Sequence, residues 1–127
     1  MGETVLCTPT VIWVVDDDAS VRSGLSSLLR SLDYEVVTFE SGAELLSAVV
    51  RARPACIISD VQMPGMSGVD MFARLIDAKL AIPTLFITAY PMPELHQRAL
   101  ALGASAFLIK PVSVDDLTAA VNAALAS

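Results

Sequence analysis

The chain has 127 residues, of which 54% are hydrophobic and 17% charged, and its formal net charge is −6. This length and composition predict one folded domain and exclude an intrinsically disordered chain, while the acidic balance argues against a nucleic-acid-binding surface. Because no apolar run reaches the roughly 18 residues of a membrane span and no signal peptide is evident, we expect a cytoplasmic location.

The first ten residues carry no periodicity and are predicted to form an N-terminal tail, followed by a single domain over residues 11–127. Within that domain, five short apolar runs alternate with five segments whose apolar residues recur at helical spacing. The predicted strands are 11–15, 35–39, 56–59, 84–88 and 106–109. The predicted helices are 20–32, 41–50, 69–76, 93–102 and 113–127. Two of these helices begin with a capping-box pattern, at Ser41 and at Ser113.

This alternation of apolar strands and helices predicts an α/β fold, in which helices cover both faces of a parallel sheet. We expect the strand order 2-1-3-4-5, which is the flavodoxin-like (βα)5 arrangement. In open sheets of this kind, ligands bind beyond the carboxyl ends of the strands, near the point where the strand order reverses. The residues that follow the strands are therefore the candidate site.

Candidate site residues end or directly follow four of the five strands, namely three acids after the first, one acid after the third, a hydroxyl at the end of the fourth and an amine after the fifth, whereas Glu40 after the second strand would lie at the edge of the sheet. The candidate residues are Asp16, Asp17, Asp18, Asp60, Thr88 and Lys110. Clustered carboxylates repel one another, and a hard cation such as Mg²⁺ relieves that repulsion through oxygen ligands. A carboxylate can also attack phosphorus to form an aspartyl phosphate, whose charge a cation and a lysine stabilise. The pattern therefore predicts Mg²⁺-dependent phosphoryl transfer.

Each of these residues also has an ordinary structural interpretation when taken alone. Acids after a strand are typical of a helix start, because carboxylates stabilise helix N-termini, and Asp18 is expected to point into that start. The placement of all six residues at strand ends on one edge of the sheet is what favours a site. Cys56 is expected to be a small buried residue, and His96 a surface residue on the polar face of its helix.

Four segments, VVDDD, DVQMPGMSG, FITAY and FLIKPV, stand in the order and at the spacing of response-regulator receiver domains of bacterial two-component signalling. The sequence resembles that family over roughly residues 10–126. The resemblance implies that Asp60 accepts a phosphoryl group from a sensor histidine kinase or a phosphotransfer protein. It also implies Mg²⁺ as cofactor, with Mn²⁺ as a substitute. The VDDD segment resembles the subgroup that often carries a helix-turn-helix output domain, and no such domain is predicted in this chain.

The resemblance implies a metal site and two residues that adjust its chemistry. Asp17, Asp60 and the backbone carbonyl of Gln62 would bind the metal directly, and Asp16 would act largely through water. Gln62 and Tyr90 would flank the path of an attacking water and so tune autodephosphorylation.

The resemblance also implies a switch that reports phosphorylation. Thr88 and Lys110 would bind the phosphoryl group, and a cis peptide bond would join Lys110 to Pro111. Phe107 would be the aromatic residue that changes position, although it lacks the hydroxyl that a tyrosine would offer. The surface formed by the last two helices and the last strand would then change, and we expect it to form a homodimer or to bind an effector.

Two other functions are compatible with parts of this pattern. An Mg²⁺-dependent hydrolase of the haloacid-dehalogenase type would require a second aspartate two residues after the nucleophile, and that position is Gln62. A non-catalytic flavodoxin-like binding module would require a phosphate-binding loop where the three acids stand. The favoured interpretation is a signalling module that is not an enzyme, except that it catalyses its own phosphoryl transfer and slow autodephosphorylation.

Overall fold

In the computed structural model, which describes residues 10–126, five strands and five helices alternate along the chain. The strands are β1 (Val11–Val15), β2 (Glu35–Phe39), β3 (Cys56–Asp60), β4 (Thr84–Thr88) and β5 (Ala106–Ile109). The helices are α1 (Ala19–Ser31), α2 (Gly42–Val49), α3 (Gly68–Asp77), α4 (Pro93–Ala101) and α5 (Val114–Leu125). The predicted elements are confirmed with small shifts at their ends. The predicted tail lies outside the described residues except for Thr10 and stays a prediction.

The five strands form one parallel sheet in the order β2-β1-β3-β4-β5, as predicted. The chain runs from β1 outward to β2 and then returns past β1 to form β3. The loops after β1 and β3 therefore diverge and leave a crevice at the carboxyl edge of the sheet.

Both faces of the sheet are covered, which explains why the strands are continuously apolar. In β1, Ile12 and Val14 face a core completed by α1 and α5, whereas Trp13 and Val15 face a core completed by α2 and α3. Cys56 is fully buried, as predicted, and burial raises the pKa of its thiol to about 12. Within residues 10–126, no helix combines the length and hydropathy that crossing a bilayer requires.

Four of the five helices begin with a side chain that accepts a hydrogen bond from the first turn. Three of these caps are serines that each accept from the backbone N–H three residues later, namely Ser41, Ser67 and Ser113. The fourth is Asp18, whose side chain accepts from two backbone N–H groups in the first turn of α1. The predicted helix starts at Ser41 and Ser113 are thereby confirmed. Helix α4 differs, because its N-cap residue, Met92, makes no side-chain capping hydrogen bond.

The start of α3 passes directly beneath the end of β3, and a glycine makes this close approach feasible. The Gly68 N–H donates to the Val61 carbonyl at 2.8 Å. A Cβ at position 68 would overlap the Asp60 carbonyl oxygen and lie 2.7 Å from Ser59 Oγ. The loop that follows Asp60 is therefore packed tightly against the end of β3, and position 68, where this loop ends, has room only for glycine.

This packing predicts opposite effects for two glycine-to-alanine substitutions. Gly68→Ala should lower the free energy of unfolding by roughly 1–3 kcal/mol, because backbone atoms must move to admit the methyl group. Gly24→Ala is the matched control, since Gly24 is exposed in α1 with nothing within 4 Å of its Cβ position, and it should raise that free energy by about 0.5–1 kcal/mol. Urea unfolding of both variants measures the difference. Equal stability of the two variants would contradict the close packing of Gly68.

Candidate functional site

Three carboxylates converge at the crevice. Asp16 and Asp17 follow β1 directly, and Asp60 is the last residue of β3. Because β1 and β3 are neighbours, with Val15 opposite Ser59, their ends bring the acids together. Each acid places one oxygen within 4.8 Å of an oxygen of the other two. Asp16 is 2% exposed and Asp60 is 9% exposed, whereas Asp17 is exposed to solvent.

A single lysine reaches the cluster from β5. The Lys110 Nζ lies 3.1 Å from Asp16 Oδ2 and 3.9 Å from Asp60 Oδ2. The peptide bond between Lys110 and Pro111 is cis, as the family resemblance implies. One ammonium group beside three carboxylates leaves the cluster with excess negative charge.

That excess is reflected in the acid–base behaviour of Asp60. Its pKa is raised to about 6, first because burial removes the carboxylate from water and second because the Asp16 charge repels it. Lys110 and the backbone N–H groups of Val61 and Gln62 oppose this rise without cancelling it. A buried carboxylate in this state gains from any further positive charge placed beside it.

The donor set suits a hard cation. It consists of carboxylate oxygens from Asp16, Asp17 and Asp60, with no sulfur or nitrogen ligand among the clustered groups. Hard divalent cations take oxygen ligands of this kind. The acidic cluster can therefore hold a metal ion.

Asp18, the third acid after β1, is directed elsewhere. Its carboxylate accepts hydrogen bonds from the N–H of Ser20 at 2.8 Å and of Val21 at 3.4 Å, and it caps α1. The expectation that Asp18 points into the helix start is confirmed.

Thr88 is the last residue of β4, and its hydroxyl forms hydrogen bonds with the backbone of Tyr90. Its Oγ1 accepts from the Tyr90 N–H at 3.2 Å and donates to the Tyr90 carbonyl at 3.3 Å. The hydroxyl therefore closes the turn that leads to α4. Beside that turn, the Gln62 side-chain Nε2 lies 2.9 Å from Met92 Sδ, which links the loop after β3 to the start of α4. The Tyr90 side chain is largely exposed.

Sequence reasoning missed a contact between α1 and the acidic loop. The Arg22 guanidinium donates to the Asp16 backbone carbonyl at 2.6 Å, which ties the end of β1 to the second turn of α1. Helical periodicity predicts only that Arg22 faces solvent. It does not predict which backbone carbonyl the guanidinium can reach.

The expectation for His96 is corrected by the structure. His96 is half-buried, and its ring is stacked on Phe107 with ring centroids 4.2 Å apart and an interplanar angle of 14°. The sequence predicts that His96 is a surface residue because it lies among polar residues on one face of its helix. The periodicity of one helix cannot show that β5 places the Phe107 ring against that face.

Residues 12–122 match the family model of the response regulator receiver domain. The chain belongs to this receiver-domain family. Transcriptional regulatory protein TdiR of Thauera aromatica is 39% identical to it over 126 residues, covering 99% of this chain and 56% of TdiR. Transcriptional regulatory protein FixJ of Bradyrhizobium diazoefficiens is 36% identical over 114 residues, covering 90% of this chain and 56% of FixJ.

Solved structures of receivers have the same fold. A crystal structure of FixJ-N has a TM-score of 0.87 and 28% identity, covering 94% of this chain and 96% of that one. Chemotaxis protein CheY4 of Vibrio cholerae has a TM-score of 0.82 and 33% identity, covering 91% and 98%. The predicted flavodoxin-like fold is confirmed. The chain is a receiver domain of two-component response regulators, a signalling module, and spans about half the length of the curated relatives named above.

The raised pKa of Asp60 predicts that its ionised carboxylate lowers the free energy of unfolding of the receiver. Asp60→Asn should raise the free energy of unfolding at pH 7 by roughly 1–3 kcal/mol, because the amide removes a buried charge that is repelled by Asp16. The folded-state pKa of about 6 exceeds the ordinary value of 3.8. The unfavourable contribution is therefore absent below pH 3.8, grows as pH rises and is complete above pH 6.

Urea unfolding of both proteins at several pH values in this range, without divalent metal, measures the effect. The advantage of the asparagine variant should shrink as the pH falls towards 4. An advantage that does not depend on pH would show that repulsion and burial of the charge are not its origin.

Proposed function

We propose that this receiver accepts a phosphoryl group on Asp60 from a sensor histidine kinase or a phosphotransfer protein in the cytoplasm. The observation that carries the proposal is the convergence of three carboxylates beside one lysine at the crevice of the sheet. Asp60 is the proposed acceptor because it ends the central strand β3 and stands at the position of the family's phosphoryl acceptor, 3.9 Å from the Lys110 ammonium.

The proposed cofactor is Mg²⁺, for which Mn²⁺ can substitute. Asp17, Asp60 and the backbone carbonyl of Gln62 would hold the ion directly, and Asp16 would hold it through water. All of these are oxygen donors, as Mg²⁺ requires. When bound, the ion supplies the positive charge that the cluster lacks and that phosphoryl transfer needs.

The transfer reaction follows from the state of Asp60. A carboxylate with a pKa near 6 is mostly ionised at neutral pH, so its oxygen can attack the phosphorus of a phosphohistidine donor. The new P–O bond forms as the P–N bond breaks, and the departing electron pair remains on the imidazole nitrogen of the donor. Lys110 is already beside Asp60 and stabilises the charge on the transferred phosphoryl oxygens.

The phosphoryl group would then act on the turn after β4. If Thr88 donates its hydroxyl to a phosphoryl oxygen, it must release the Tyr90 carbonyl that it now contacts. The turn leading to α4 is loosened, and space opens beside Thr88. Phe107 lies on the neighbouring strand, opposite Phe86 in the β4–β5 register, and is the residue proposed to move into that space.

The surface that would report this change consists of α4, β5 and α5. It carries exposed apolar side chains on each element, from Leu100, Ile109 and Val114. We propose that phosphorylation makes this surface pair with a second copy of the receiver, or bind an output domain or effector. Direct nucleic-acid binding is not expected of a domain with a net charge of −6. Light scattering before and after phosphorylation tests the pairing, and an unchanged molar mass would contradict it.

The same site would remove the phosphoryl group slowly by hydrolysis. Gln62 and Tyr90 are proposed to set that rate, because their loops border Asp60 on two sides. The contact between Gln62 and Met92 holds one of these side chains over the start of α4. A dedicated hydrolase is not favoured, because Gln62 stands where such an enzyme needs an acid and because the chain matches receivers.

Phosphorylation of Asp60 can be measured directly. With Mg²⁺ and acetyl phosphate, the receiver should gain one phosphoryl group, visible by intact-mass measurement, that is stable in acid and lost in base. Asp60→Asn should show no gain. Labelling of the asparagine variant at the wild-type rate would show that the acceptor lies elsewhere.

The metal assignment separates two neighbouring acids. Asp17→Ala should weaken Mg²⁺ binding by roughly tenfold or more, since losing even an outer-shell partner commonly costs 10–100-fold. Asp18→Ala should leave Mg²⁺ affinity nearly unchanged and lower stability by about 0.5–2 kcal/mol, because it removes a helix cap. Fluorescence of Trp13, on the strand that leads to these acids, follows the titration. A larger loss of affinity in Asp18→Ala would reverse the assignment.

A further inference from the structure

A row of aromatic rings runs from the core of the receiver to the surface of α4. Phe72 of α3 contacts Phe86 of β4, with ring centroids 5.6 Å apart, and Phe86 lies 6.2 Å from Phe107 of β5. His96 of α4 completes the row at 4.2 Å from Phe107, in the most nearly parallel stack of the four rings. His96 is therefore the aromatic residue of α4 that stacks on the proposed switch residue, while Ala99 of α4 belongs to the hydrophobic cluster against which Phe107 and Leu95 pack.

Other contacts attach α4 to the rest of the receiver. The helix begins without a side-chain cap at Met92. In its second half, the methyl group of Ala99 is fully buried, and Arg98 forms an ion pair at 2.7 Å with Asp70 of α3. The ion pair joins α4 to α3, and Ala99 belongs to a core cluster that includes Val69 and Phe72 of α3. His96 stacks on Phe107 of β5. Because the other contacts hold α4 in place, a displacement of Phe107 into the space beside Thr88 would separate the two stacked rings.

We propose that His96 is a positioning residue that holds Phe107 in its resting place and thereby sets the balance between the resting and switched receiver before phosphorylation. The proposal rests on the proposed function, in which Phe107 moves when Asp60 is phosphorylated. A stack present in the resting arrangement and broken in the switched one favours the resting arrangement by its own interaction energy. Aromatic pairs of this kind are worth roughly a two- to tenfold change in an equilibrium constant.

The experiment compares His96→Ala with two matched variants. His96→Phe retains a flat ring that can stack on Phe107. Gln97→Ala removes an exposed side chain one position along the same helix and controls for changes in helix stability. Thermal unfolding confirms that each variant is folded. Two quantities are then measured in each protein: the rate of phosphorylation by acetyl phosphate with Mg²⁺, and the ring resonances of Phe107 in phenylalanine-labelled protein, assigned by their loss in Phe107→Leu.

If His96 stabilises the resting arrangement, His96→Ala should change both the phosphorylation rate and the Phe107 resonances. In His96→Ala, phosphorylation should be roughly two- to tenfold faster, because a larger fraction of the receiver already has the switched arrangement. The Phe107 resonances of the unphosphorylated variant should move toward the positions that beryllium fluoride, a phosphoryl mimic, produces in the wild type. His96→Phe should restore wild-type behaviour, and Gln97→Ala should not depart from it.

The outcomes distinguish this proposal from the function on which it rests. If beryllium fluoride moves the Phe107 resonances of the wild type but His96→Ala neither shifts them at rest nor speeds phosphorylation, the switch operates and the role of His96 is wrong. Slower phosphorylation in His96→Ala would also overturn it, because the stack would then favour the switched arrangement. If Asp60 is phosphorylated and the Phe107 resonances do not move, both the switch and its control by His96 are wrong.

Discussion

The burial of Asp60 and its repulsion by Asp16 determine the electrostatics of the acidic cluster. Parallel strands β1 and β3 bring the two carboxylates together in a region from which water is largely excluded, where like charges interact strongly. Lys110 compensates for only part of this charge. The site therefore favours an additional cation beside Asp60, whose pKa is raised by burial and by the Asp16 charge.

The rest of the fold maintains that unfavourable arrangement. The close passage of α3 beneath Asp60, through Gly68, restricts how the end of β3 can relax. The Arg22 guanidinium similarly restrains the backbone of Asp16, through a hydrogen bond to its carbonyl. Because both restraints act on the backbone, they hold the two carboxylates close together.

Most of the fold and the acidic cluster followed from sequence patterns that are local. Apolar runs of strand length located β1 to β5, and the carboxyl-edge rule placed Asp16, Asp60 and Lys110 together. The stack of His96 on Phe107 did not follow, nor did the hydrogen bonds between Thr88 and the Tyr90 backbone. These contacts depend on how far one element is rotated or shifted against another, and periodicity reports only which side of an element is apolar.

The ion pair between Lys110 and Asp16 joins residues separated by 94 positions in the chain. Contacts of such long sequence separation form only after the intervening chain has been brought into place, because closing a long loop is entropically unfavourable. During synthesis, the ribosome must release β5 before the acids of β1 can acquire their lysine. A nascent chain that has completed only the first three strands has its carboxylates without this counter-charge, so the site matures with the last part of the domain to emerge.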